Sequence, residues 1–265
     1  MKKSSSYWFE REQYSLFDKT EEEIMPVIIK LYRKELQKLK KEVRQLYRDI
    51  EANSENGIVS ITDLYRYDEY YKIANELNNS LTTIGEKSIE VFEGQFLKLY
   101  ENTQGILDKS PILRTRPTVR PEDIVNEIWT KDNVRWSERI WHDQELLQQK
   151  VMESLTDCFS RGVGIDQVVR YLAEDMNSGV YAARRLLRTE MNRIQNEATI
   201  ERYKANGVRR YKCIEADDDK TCPICKAMSG KIFNIEDAVP GSTMSPFHPN
   251  CRGGVAPIID AVIHK

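Results

Sequence analysis

Cys222-Pro223-Ile224-Cys225 and, after a loop, His248-Pro249-Asn250-Cys251-Arg252 put three thiols and an imidazole on two short chelating segments. Thiolate and imidazole donors spaced in this way build tetrahedral structural zinc sites, closed by four protein ligands with no position for a catalytic water. The two-residue spacing lets backbone amides turn back toward the first donor of each pair, and Pro223 and Pro249 stiffen both turns by fixing φ. The ligand set and the closed geometry favour zinc over copper or iron. A disulfide with a spare thiol, or a thioredoxin-like redox pair, is the competing chemistry. The redox pair needs its two cysteines at a helix start after a buried strand in a βαβ unit. Here the pair follows Asp217-Asp218-Asp219, an acidic, turn-like run. Cys222, Cys225, His248 and Cys251 are therefore the candidate ligands, and a structural zinc the candidate cofactor.

No constellation for catalysis accompanies them. Of the other two histidines, His142 falls in a helical segment and His264 close to the C-terminus. There is no Gly-rich phosphate loop, no Gly-x-Ser-x-Gly and no His-Glu-x-x-His. An HNH-type ββα-metal nuclease needs a general-base histidine and a further metal-binding one, and His248 is already committed to the turn. The expectation is a protein with no catalytic residues that is not an enzyme.

The elements that must position these ligands are mostly helical. At 265 residues, 31% charged and 40% hydrophobic, the chain suits long, exposed amphipathic helices, as two domains or as one elongated domain with an appendage. A net charge of -2 gives no global argument for nucleic acid or membrane. Five cysteines point to a reducing compartment, and either Cys158 or Cys213 fits a buried small hydrophobe. The opening Met1–Arg11 lacks the apolar core of a signal peptide. No segment approaches the about 18 apolar residues of a membrane span. A soluble protein made in a cytoplasm is expected.

In the first half, Met25, Ile29, Tyr32, Leu36, Leu39, Val43, Leu46 and Ile50 recur in alternating steps of four and three, a heptad stripe on a long helix. Pro26 sits where a helix start can spare an N–H. Packing of the stripe inside a bundle is favoured over a free coiled coil. Asn53-Ser54-Glu55-Asn56-Gly57 breaks the pattern, Ser60 and Asp63 form a plausible capping pair, and Tyr65, Tyr67, Tyr70 and Tyr71 read as core or helix-packing aromatics, with a binding face as the other reading. Ile89, Phe92, Phe96 and Leu99 mark a further amphipathic segment. Pro111, Pro117 and Pro121 exclude a continuous helix, and with Lys109, Arg114, Arg116 and Arg120 they describe an extended basic connector. Pro121-Glu122-Asp123 looks like a first helical turn.

In the second half, Trp136, Ile140, Leu147, Val151, Leu155 and Cys158 mark one apolar face. Gly162 and Gly164 punctuate it, and Ile165, Val168, Val169 and Leu172 mark the next. Ser178 is a candidate cap for a helix through Lys204, ended by Asn206-Gly207. Tyr211 and Cys213 then alternate as a short strand, and Ile232-Phe233 suggest a second. The resulting fold class is mainly α, with an elongated helical N-terminal region, a helical body and a small zinc-stabilised α+β C-terminal module. The expected divisions are a helical bundle over 1–109, the connector over 110–121, the body over 122–207 and the metal module over 208–265. A module this small holds itself poorly by core burial, and a metal would stabilise it.

From Tyr181 to Lys212, nine bases face three acids. Arg184, Arg185, Arg188, Arg193, Arg202, Arg209 and Arg210 are candidate contacts for DNA phosphates, giving affinity without sequence preference. An acidic protein partner or a solvated face are the other readings. Arg188, Thr189 and Glu190 could instead form an internal buried polar contact.

Taken together, Leu187-Arg188-Thr189-Glu190, Asn196-Glu197-Ala198, Tyr203, Gly207-Val208, Asp217-Asp218, the two ligand pairs and Gly230-Lys231-Ile232-Phe233 resemble the minor head proteins of tailed bacteriophages, the phage Mu F-like or head morphogenesis family. Tyr7-Trp8-Phe9-Glu10-Arg11 is similar to the opening of the Gram-positive phage branch. The resemblance covers roughly residues 130 to 257. It departs from the pattern at Arg252-Gly253-Gly254, where a cysteine often follows the arginine. It implies a capsid-assembly protein in the virion, joined to the procapsid through the portal protein and lying inside the head near the packaged double-stranded DNA. Scaffolding or major capsid protein would be further partners, and there would be no membrane. The competing classes are a zinc-stabilised DNA-binding regulator and a nuclease or toxin. The first expects a recognition helix and dimer symmetry, and the second an added catalytic domain.

Overall fold

The computed structural model describes residues 5–53, 62, 68–215, 218–219 and 221–259. Ser54–Gly57, the Ser60–Asp63 pair, Tyr65, Tyr67, Asp217 and His264 lie outside them, as do the side chains of Tyr7 to Arg11. The described chain is mainly helical: α1 (Ser5–Asn53), α2 (Glu69–Leu107), α3 (Pro121–Val125), α4 (Trp136–Ser160), α5 (Ile165–Ala205) and α6 (Pro223–Met228). Three short strands, β1 (Arg210–Ile214), β2 (Ile232–Asn234) and β3 (Gly254–Ile258), form one antiparallel sheet in the order β2-β1-β3.

The chain divides into two compact units. A helical unit takes Met25–Glu90 and Ser137–Arg184, and a sheet-bearing unit takes Met1–Ile24, Val91–Trp136 and Arg185–Lys265. Boundaries at 109, 121 and 207 do not describe this division. The long helices α1, α2 and α5 each supply residues to both units, so contact does not follow chain order.

In the helical unit the heptad stripe is buried from Met25 to Ile50, which places it in the interior of the protein. Ile28, three residues after Met25 on the same face, is buried where the stripe expected Ile29, which is half-buried. Pro26 is not at a helix start: α1 begins at Ser5 and runs through it. An internal proline costs about 3 kcal/mol, and burial of Ile24, Met25 and Ile28 around it offsets this at about 1.5–3 kcal/mol each. Ser178 likewise caps nothing. It lies inside α5, with its hydroxyl turned back to donate to the Asp175 carbonyl at 2.6 Å. The next residue, Gly179, is fully constrained by its neighbours, since an added Cβ would sit 2.7 Å from both Leu147 and the Tyr32 ring. Cys158 is buried in the same unit, beside the stacked Tyr47 and Phe159. Tyr71, by contrast, is exposed and touches Tyr70 edge-on.

In the sheet-bearing unit, Tyr211 and Cys213 point from β1 into a core with Leu107, Leu113, Ile200, Tyr203, Met244 and Val255. Arg210 and Lys212 point the other way. β3 carries Pro257 opposite Tyr211, tolerated because β3 is an edge strand. α5 ends as expected: Gly207 has φ +70°, and the Val208 N–H bonds back to the Tyr203 carbonyl at 3.1 Å. The connector is irregular and basic, but pinned. Leu113 is buried, Asn206 makes two hydrogen bonds to the Thr115 backbone at 2.8 and 2.7 Å, and Arg116 pairs with Asp108 at 2.6 Å. The expected turn at Pro121 is α3, with Glu122 and Asp123 in its first turn.

Candidate metal centre

The two ligand turns converge. α6 starts at Pro223 with Cys222 as its cap, and the Cys225 N–H points at the Cys222 sulfur at 3.4 Å. That amide lowers the Cys222 thiol pKa. On the second segment, Asn250 takes the left-handed φ of +63° that closes the turn, and the Cys251 N–H reaches the His248 carbonyl at 3.2 Å. His248 Nδ1 lies 2.8 Å from the Pro249 carbonyl, so a proton there leaves Nε2 as the donor atom. Nε2 sits 3.1 Å from the sulfurs of both Cys222 and Cys225. Cys251 joins through Cys225, sulfur to sulfur at 3.4 Å. The donor atoms of Cys222, Cys225 and His248 lie within 4.8 Å of one another, a set that could hold a thiophilic cation such as zinc, and Cys251 adjoins it through Cys225. Cys225 and Cys251 are buried, and burial pushes the Cys225 thiol well up, a cost to its thiolate that a bound cation would offset. All five cysteines are free thiols.

One residue was missed from the sequence. Glu215, the residue after β1, brings a carboxylate oxygen within 4.8 Å of the sulfurs of Cys225 and Cys251. Burial pushes it up to about 7, with Cys225 pulling against that. Its carboxylate fills the space beside Gly253, where a Cβ would lie 2.3 Å from Oε1. This explains the departure at Arg252-Gly253: a side chain at 253 and Glu215 as placed exclude each other.

A polar seam on α5 seats the second turn. Thr189, Asn192 and Asn196, spaced three and four apart, share one face. The Thr189 hydroxyl accepts from the Asn250 N–H at 3.2 Å, and Asn192 and Asn196 donate to the Gly253 carbonyl at 2.8 and 3.1 Å. Ser245 lies between, 2.7 Å from Asn192 Oδ1 and 3.0 Å from the Cys251 sulfur. Arg252 closes the rim with a two-pronged ion pair to Asp218, at 2.9 and 2.6 Å.

The seven arginines separate sharply. Arg184, Arg185, Arg209 and Arg210 are exposed. Arg193 and Arg202 are fully buried and cannot face a polyanion, which corrects their reading as phosphate contacts. Arg193 is held by Glu190 at 2.7 Å and Glu197 at 2.5 Å, and donates to the carbonyls of Ile124 and Val125 at the end of α3. Trp129 donates to Glu190 at 3.0 Å. Burial pushes Glu197 up to about 8 despite Arg193. Arg202 pairs with Asp108 and donates to the Leu113 carbonyl at 2.9 Å. Asp108 is held down at about 2, first by Arg116 and then by Arg202. Arg188 is half-buried, paired with Glu21 and lying over the Phe17 ring. The internal contact expected of Arg188 and Glu190 therefore exists with other partners.

Residues 149–256 match the family described as phage Mu protein F like protein. The match takes in all of α5, β1, β2, the start of β3 and all four expected ligands, and it bears out the resemblance to phage head morphogenesis proteins. No curated protein and no solved structure matches the chain. No helix among the described residues is long and apolar enough to cross a membrane.

Proposed function

We propose that this protein is a minor head protein of a tailed phage of the Gram-positive branch, which joins the procapsid by binding the portal and lies inside the head near packaged DNA. The observation that carries the reading is that the family match encloses both ligand turns together with the Thr189–Asn192–Asn196 seam that seats them. Zinc is the proposed metal, held by Cys222, Cys225, His248 and Cys251 as a structural cross-link between the two turns. The protein acts by binding, without turnover. In support, His248 has Nε2 against two sulfurs and Nδ1 against a carbonyl, which leaves no nitrogen to serve as a general base. The exposed Arg184, Arg185, Arg209 and Arg210 support a weak, sequence-independent contact with double-stranded DNA.

Co-expression with the cognate portal tests the reading. Co-purification with portal or procapsid is expected, together with no DNA cleavage in magnesium or manganese. Failure to associate would sink the assembly role. Metal-dependent cleavage by the rigorously purified protein that is lost in His248→Ala would sink the non-enzymatic one.

A further inference from the structure

We propose that Glu215 is a fifth donor to the metal centre, completing the ligand set when His248 does not. The proposal rests on the reading of Cys222, Cys225, His248 and Cys251 as metal ligands.

The donors fall into two overlapping triads, Cys222–Cys225–His248 and Glu215–Cys225–Cys251, with all donor atoms in each triad within 4.8 Å of one another. Cys225 belongs to both. Ligand atoms around a tetrahedral zinc with bonds of about 2.0–2.3 Å lie about 3.3–3.8 Å apart. An ion bound to the Cys225 sulfur is thus within reach of an imidazole on one side and a carboxylate on the other. Glu215 Oε1 is buried without a hydrogen-bond partner, and the carboxylate's one side-chain partner is the Cys225 thiol, whose proton a bound cation would replace. Arg252 does not answer it, since both of its terminal nitrogens engage Asp218. The carboxylate is also held in place. Gly253 leaves it the space that a Cβ would occupy, and the Gly253 carbonyl is fixed by Asn192 and Asn196.

Charge orders the two alternatives. Three thiolates and a carboxylate around a dication leave one more negative charge than three thiolates and a neutral imidazole. His248 therefore completes the resting set, and Glu215 takes its place when the imidazole is withdrawn.

Metal content, competition against a chromophoric chelator, and cobalt(II) absorption of the full chain test this. Wild type is expected to hold one metal. His248→Ala should retain the metal, weakened by about tenfold or more, with its cobalt bands shifted by exchange of nitrogen for oxygen. Adding Glu215→Gln to His248→Ala should abolish binding, as Cys225→Ser does alone. Equal binding by His248→Ala with and without Glu215→Gln would overturn the proposal, as would loss of metal from His248→Ala as complete as from Cys225→Ser. Glu215→Cys in the His248→Ala chain reads the same geometry with a sulfur donor. Its cobalt charge-transfer intensity should rise from that of three thiolates to that of four, and an unchanged spectrum would overturn the proposal. A wild-type chain without metal under reducing, chelator-free conditions would overturn the ligand reading first, and the role of Glu215 with it.

Discussion

The helical unit and the sheet-bearing unit are held by different physics. The first buries a largely apolar set, from Met25 to Ile50 on α1 and from Ile140 to Phe159 on α4, interrupted by Glu35 and Gln144. The second buries Glu190, Asn192, Arg193, Asn196, Glu197 and Arg202, and gathers its thiols beside them. Apolar packing tolerates exchange of one aliphatic group for another, because its attraction is non-directional and scales with area. A buried polar network depends on every member, because a single removal strands a desolvated charge or donor. The same chain should therefore be plastic in one unit and brittle in the other.

The largest effect that would sharpen this contrast is removal of the proposed metal. Cys225→Ser, or a strong chelator, should strip amide protection from β1, β2 and β3 while the Met25–Ile50 stretch of α1 stays protected, as read by hydrogen exchange. Equal loss in both regions would break the contrast. Next is Arg193→Met, which leaves Glu190 buried without its cation and is expected to cost about 3–5 kcal/mol. Leu39→Met in the helical unit, similar in volume, should cost less than about 1.5 kcal/mol. Denaturant titration of the two variants side by side checks the pair.

A smaller effect is in the pH dependence. Glu197 is held up to about 8 against an ordinary 4.5, so folding favours its protonated form. Its share of the stability is full below about 4.5 and is lost as pH rises to about 8. Glu197→Gln should flatten the stability profile across that window, and an unchanged slope would show that another group carries it. The smallest effect belongs to the surface. Arg209→Glu with Arg210→Glu should change stability by no more than about 0.5 kcal/mol. It should weaken DNA binding alike on all sequences and reduce its salt dependence. Unaltered affinity would reassign this face to a protein partner.

The two units also differ in how far they can be read from the chain. The α1 stripe is legible because apolar burial repeats with the helix, so spacing alone reports it. The ligand pairs are legible because chelation demands short, fixed separations. Arg193 defeats the same logic: its neighbours in sequence are polar, and only the acids three before and four after it reveal that the charge is balanced inside. Ser178 and Pro26 were read by local preference, which burial on either side of them overrides. β3 carries glycine and proline in place of a clean alternation, and it is a strand because β1 offers it an edge. Glu215 is one carboxylate near an acidic run, given meaning only by the gap at Gly253.

The interleaving of the two units sets an order in time. Gln13 bonds to Thr199, and Gln195 bonds back to the Gln13 carbonyl. A ribosome adding about 5–20 residues per second makes one partner about 10–40 s after the other. The helical unit has all its segments once Arg184 has emerged, but the sheet-bearing unit must wait for β3. For that interval the start of α1 is a made strip without its counterpart, exposed to chaperones and to neighbouring nascent chains. The last candidate ligand, Cys251, emerges after the helical unit has all its segments. Capture of the proposed metal then follows completion of that unit, and a cell short of the metal would accumulate chains with a finished helical unit and an open companion.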